Sequence, residues 1–201
     1  MFESDIDVCC YGNVIKSRYN IEEDEYSVEK IDATMMRVLL VDLNINFDMD
    51  ERTMQIMTQK HNSEKMNEYL NLSDKISEDI CKTLVFINFY FEHYNFSEDE
   101  KKGFAALQEL IQKYQSVLTD LNLSHVNLDN LINLEECRNF EASVGITFAG
   151  YRSKYAYILL TSHIKENSVK KLKQCLQNKG FKFIDTTVSC TGLVKTDNEY
   201  K

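Results

Sequence analysis

An α+β fold formed by a single domain is predicted for this chain of 201 residues, on three observations. Residues 1–48 show period-2 apolar alternation. Residues 51–140 carry apolar side chains at three-to-four spacing. Residues 141–194 combine short β-rich runs with one amphipathic helix, and 195–201 read as a tail. The strand-rich ends flank the helical middle, so they are expected to pair into one sheet. A chain of this length buries about 70% of its extended surface. Its 43% hydrophobic and 27% charged residues are globular values.

In the first segment, Leu39, Val41, Leu43, Ile45 and Phe47 alternate with Leu40, Asp42, Asn44 and Asn46, which predicts a strand. Ile6, Val8 and Cys10 alternate with Asp5, Asp7 and Cys9. Gly12-Asn13 then signals a turn into a second strand, Val14 to Ile21. The acidic run Glu22 to Glu25 reads as a loop.

The middle segment predicts helices. Ser73 or Asp74 is placed as the cap of a helix carrying Ile76, Ile80, Leu84, Ile87 and Phe91. Leu84 to Phe91 is apolar on nearly every side and is expected to be buried. Ser97 and Glu100 form a capping box, with Phe96 before it and acids in the first turn. From there Phe104, Leu107, Ile111, Tyr114, Leu118, Leu121, His125, Leu128 and Ile132 recur as a heptad interrupted only by His125. An unbroken helix over 97–134 would be about 55 Å long at ~1.5 Å per residue. A compact chain of this size has a radius of gyration of only ~16 Å. The residues from Asp120 to Asn127 form helix poorly, and a break there, with Ser124 capping a new helix, is expected.

In the third segment, Val144 to Ala149 and Tyr155 to Thr161 read as strands joined through Gly150-Tyr151-Arg152-Ser153. Asn167 or Ser168 is expected to cap a helix whose inner face is Val169, Leu172, Cys175 and Leu176. Gly180 ends it. Phe181 to Val194 reads as one or two closing strands.

Composition narrows the setting. The chain has no proline, no tryptophan, and 5 arginines among 23 basic residues, a bias that follows A/T-rich codons. The six cysteines lack the dense spacing of a secreted scaffold and are expected to be reduced. The first seven residues are acidic where a secretory signal would be basic and then apolar, and no run approaches the ~20 apolar residues of a membrane span. A cytoplasmic, intracellular location is expected, without membrane association. The net charge of -9 is uneven: residues 1–60 hold 13 acids and 6 bases, 61–139 hold 14 and 7, and 140–201 hold 5 and 10. An acidic front and a basic end follow.

Tests for chemistry find no catalytic residue, no cofactor and no metal site. Gly145 and Gly150 have the glycine spacing of a nucleotide loop, but Tyr151 stands where its lysine must be. No cysteine pair has zinc-knuckle spacing, no two histidines lie a helical turn apart, and Cys9 and Cys10 would point to opposite faces of a strand. Asp48, Asp50 and Glu51 lack the glycine and the closing glutamate of a calcium loop. His93 lies 12 residues from Cys81, and His125 lies 12 from Cys137, about 18 Å apart on continuous helices. The lysines at 165, 170, 171, 173, 179 and 182 fit a solvated helix face better than a phosphate grip, since arginine is scarce and the chain is acidic. Nucleic acid is therefore not expected as a partner.

The remaining expectation is a non-enzymatic protein that binds another protein. Phe86, Phe89, Tyr90, Tyr94 and Phe96 are its candidate surface. In size and composition the chain resembles compact helical immunomodulators of large A/T-rich DNA viruses, which implies a virus-encoded host-interaction factor in the host cytoplasm. One alternative is a coiled-coil assembly subunit with a small α/β head. The heptad followed by two strands and a helix is similar in order to kinetochore-type subunits with RWD heads, over about half the chain. Two further alternatives are an acidic inhibitor that mimics nucleic acid and an enzyme of unrecognised class.

Overall fold

The computed structural model describes residues 14–20, 24–45, 64–94, 98–138, 143–148, 154–161 and 164–188. Two antiparallel strands come first, β1 (Val14–Asn20) and β2 (Glu25–Ile31), paired from Val14 opposite Ile31 to Asn20 opposite Glu25. The hairpin therefore closes across the acidic run. The expected earlier partner, Ile6 to Cys10, lies outside the described residues. Asp24, at φ 52, occupies the left-handed region that aspartate tolerates in turns.

The third strand, β3 (Met36–Asp42), leaves the hairpin and enters a different sheet. The strand predicted at 39–47 is thus displaced toward the N-terminus. The amide of Asn44 bonds Asp42 Oδ1 at 2.9 Å, and Asn44 sits at φ 51, so the chain turns out of the ladder there. Leu39, Val41, Leu43 and Ile45 nevertheless share one buried face, as the alternation requires. What the alternation does not convey is that Met36 and Val38, on the other face, are buried as well.

Helices follow: α1 (Glu64–Tyr94), α2 (Glu98–Asp120), α3 (Val126–Ile132) and α4 (Glu135–Arg138). Ser73 and Asp74 lie inside α1 and do not cap it. Met66, Tyr69 and Leu70 extend its apolar stripe N-terminally and pack with Val117, Leu121 and Leu123, which draws the helix start back to Glu64. Lys16 and Arg18 of β1 both reach Glu78, at 2.6 and 3.0 Å, and clamp the hairpin to α1. Leu84 and Ile87 are buried, but Val85, Phe86 and Phe89 are exposed, so the 84–91 run is not enclosed on every side. Ser97 lies outside the described residues. Glu100, its expected partner, is fully buried in the first turn of α2.

The heptad breaks where helix formers run out. Leu123 N–H bonds the Leu118 carbonyl at 2.7 Å and Asn122 N–H bonds that of Thr119 at 2.9 Å, with Asn122 at φ 56. These are the paired bonds of a Schellman stop, with asparagine in the left-handed position. His125, the polar interruption, then caps α3 by accepting from Asn127 N–H at its Nδ1, 3.1 Å away. Ser124, the expected cap, instead receives a bond from Gln115 Nε2 and donates to Asp129 Oδ1. A continuous coiled-coil seam is thereby excluded.

The C-terminal part contributes β4 (Ser143–Phe148), β5 (Tyr155–Leu160), α5 (Glu166–Asn178) and β6 (Lys182–Val188). The connection at 150–153 lies outside the described residues. Helix α5 begins at Glu166 after Lys165, which gives no side-chain cap, so neither Asn167 nor Ser168 serves as one. Its end is as expected. Gly180, at φ 83, allows Phe181 N–H to reach the Leu176 carbonyl at 3.0 Å. Residues after Val188 lie outside the described set.

The four-stranded sheet runs β4-β5-β3-β6 and is antiparallel throughout. Val38 lies opposite Leu159 and Thr186, and Leu40 opposite Tyr157 and Ile184. A strand from the first segment is therefore flanked by two from the last. One face of this sheet, with Leu39, Val41, Ala156, Ile158 and Leu160, packs on α3, α4 and α5. The opposite face, with Met36, Val38 and Leu159, packs on α1 and α2. The architecture is α+β, with strands at both ends and helices between.

Candidate functional site

Among the described residues a cavity lies between the sheet and the α1/α2 pair. Alternation along β3 and β5 puts Met36, Val38 and Leu40 beside Tyr155, Tyr157 and Leu159, and Val188 continues this floor on β6. The roof is Ile80 and Leu84 of α1 with Leu107 and Ile111 of α2, residues that recur at helical spacing. Together they bound a cavity of about 480 Å³, within the ~300–1,000 Å³ range of small-molecule sites. Of its eleven lining residues, nine are hydrocarbon or thioether side chains and two are tyrosines.

Burial pushes the Tyr157 phenol up to about 12, with a smaller contribution from Tyr114. Burial raises Tyr114 as well. Both phenols remain protonated at neutral pH, so the Tyr157 hydroxyl can act as a hydrogen-bond donor. A water molecule in such a space needs 2–4 polar partners, whereas covering hydrocarbon returns ~25 cal/mol per Å². The lining therefore suits an apolar guest.

On the opposite face of the sheet an ionic cluster holds α5. Arg37 of β3 bonds Asp185 of β6 through Nε at 2.9 Å and Nη2 at 2.6 Å, and also pairs with Glu166 at the start of α5. Lys173 of α5 closes on Asp185 at 2.5 Å. The Arg37 guanidinium beside Asp185, aided by Lys173, holds that carboxyl at about 2. Arg37 itself is raised, first by Asp185 and then by Glu166. Every charge here has a local partner, which makes the cluster a strut between strand and helix.

The aromatic surface expected at residues 86–96 is brought together in part. Phe86, Phe89 and Tyr94 are exposed and Tyr90 is half-buried, with ring centroids 4.6 Å apart for Phe86–Tyr90 and 5.5 Å for Tyr90–Tyr94. Phe89 stacks on His93 at 4.6 Å. Phe96 lies outside the described residues. Among the lysines, those at 165, 170, 171, 179 and 182 are exposed and Lys173 is committed to Asp185.

Cys81 is half-buried and its thiol is pushed up by burial, while Cys137 is buried in the core beneath the sheet. Cys81 and His93 share the continuous helix α1, three turns apart. Among the described residues no group of three histidine, cysteine or carboxylate side chains converges as a metal ligand set. Cys9, Cys10, Asp48, Asp50 and Glu51 lie outside the described residues. Sequence reasoning missed the cavity because its walls come from five elements.

No family model matches the chain, and no curated protein matches it in sequence. Among solved structures, L. major mevalonate kinase in complex with R-mevalonate superposes with a TM-score of 0.69 at 14% identity, over 91% of this chain and 51% of that one. Lactococcus lactis galactokinase complexed with galactose gives 0.49 at 13% identity, over 90% and 53%. The chain thus spans about half the length of these kinases. The likeness to mevalonate kinase, at 14% identity, is one of fold. It overturns the expectation of a non-enzymatic protein-interaction factor, and the virus-host role attached to it has no support. Among the described residues no helix is long and apolar enough to cross a membrane.

Proposed function

We propose that the protein is a small-molecule kinase, or the part of one that corresponds to half of mevalonate kinase, transferring a phosphoryl group to the hydroxyl of a small organic acceptor. The observation that carries this reading is the superposition on mevalonate kinase over 91% of the chain. Mevalonate kinase holds R-mevalonate on this fold, and the likeness of fold supports a small acceptor here too. R-mevalonate is the first acceptor to try.

The basic excess of residues 140–201, ten bases against five acids, supports the reading, because a positive field draws a polyphosphate donor toward that end. Gly145 and Gly150 without a following lysine argue that phosphate is not held here by a nucleotide loop of the Gly-x4-Gly-Lys type. We place the enzyme in the cytoplasm, where its scattered thiols stay reduced.

The test is coupled ADP release from the full protein with ATP and magnesium, with R-mevalonate and then a panel of small hydroxy acids and sugars. Acceptor-dependent ADP release together with a phosphorylated product by mass spectrometry is expected. If ATP is hydrolysed without an acceptor product, or neither ATP nor any acceptor shifts the melting temperature, the kinase reading fails.

A further inference from the structure

We infer that the cavity between the sheet and the α1/α2 pair is a binding site for a neutral aliphatic molecule bearing one oxygen acceptor, which pairs with the Tyr157 hydroxyl. This goes beyond the kinase reading and does not rest on it.

Three features define the guest. The first is size: about 480 Å³ admits up to about 16 non-hydrogen atoms at ~30 Å³ each. The second is the lining. Val38, Leu84, Leu107 and Leu159 present hydrocarbon from both floor and roof, and apolar lining with a few placed polar groups is the pattern of small-molecule sites. The third is the polar end, which among the described residues Tyr155 and Tyr157 supply.

The neutral head follows from the same list. Among the described residues no lysine, arginine or histidine lines the cavity, so a carboxylate or phosphate held against them would be a buried charge without a cation, which is costly. A protonated phenol donates one hydrogen bond to an alcohol, ketone or ester oxygen without that cost. Across from Leu40 on β6, Ile184 is 53% exposed and continues the apolar floor to the sheet edge. That edge is the natural side for a chain to enter.

The experiment is calorimetric titration and thermal shift on the full-length protein with straight-chain primary alcohols from hexanol to dodecanol, with decanoate as the charged comparison. Binding of one alcohol per chain is expected, tightening with chain length, and decanoate should bind at least ~10-fold more weakly than decanol. Leu84→Trp, which fills the roof, should lose the site. Tyr157→Phe keeps the shape and should weaken decanol ~2- to 10-fold while preserving the dependence on chain length. Should Leu84→Trp fail to fold, Tyr157→Phe and a second filling variant, Leu159→Phe, decide the matter. The inference is overturned if no alcohol binds the wild type, if folded filling variants bind as the wild type does, or if decanoate binds better than decanol.

Discussion

Arg37 and Asp185 stand 148 residues apart in sequence and meet diagonally across β3 and β6, with Arg37 Nε 2.9 Å from Asp185 Oδ1 and Nη2 2.6 Å from Oδ2. This two-point pair locks the first segment's strand to the last one. Because the Asp185 carboxyl is held at about 2 against its ordinary 3.8, it binds a proton less readily folded than unfolded. Its contribution is complete above the unfolded value and is lost as pH falls through about 2. With screening by the surrounding water, we expect about 1 kcal/mol at neutral pH. Urea unfolding from pH 6 to pH 2 should show Asp185→Asn converging on the wild type at the acid end. A constant gap across that range would remove the pair as the cause.

Gly103 of α2 permits its helix to approach α1. A Cβ at that position would stand 2.6 Å from Ile87 Cγ1 and 3.2 Å from the Phe86 ring, and Ile87 is fully buried. Gly103→Ala should therefore destabilise by about 1–3 kcal/mol through overpacking, although alanine favours helix by ~1 kcal/mol. Ile87→Ala in the same chain, which deletes that Cγ1, should offset part of the loss, measured as a favourable coupling in a double-mutant cycle in urea. Additive effects of the two substitutions would show that they do not share the contact.

His125 caps α3 through Nδ1. His125→Ala should cost about 1 kcal/mol and His125→Asn much less, since asparagine can accept the same bond. His125→Leu, which completes the heptad by sequence, should leave sedimentation at the wild-type value, because the Schellman stop at Asn122 already ends α2. Self-association of the leucine variant would mean that the helix is continuous.

Removing residues 1–48 takes away β3, which pairs with both β5 and β6. The truncated chain is expected to lose its cooperative melting transition by circular dichroism. A truncated chain that melts like the whole would establish two independent units in place of one domain.

Much of the local structure was written in the sequence itself. The three-to-four spacing of Phe104, Leu107 and Ile111 marks the inner face of α2, and the poor helix formers around Asn122 mark its end. The stop of α5 at Gly180 and the burial of Leu39, Val41, Leu43 and Ile45 follow from glycine's freedom at positive φ and from period 2. Such features depend on residues within one or two turns of each other, the range over which periodicity and capping act. The strand order β4-β5-β3-β6, the burial of β3 on both faces and the cavity under Leu84 and Leu107 belong to the tertiary structure alone. Each joins residues a hundred or more positions apart, such as Val38 and Leu159. A local apolar pattern records that a face is buried, but carries no term for what it is buried against.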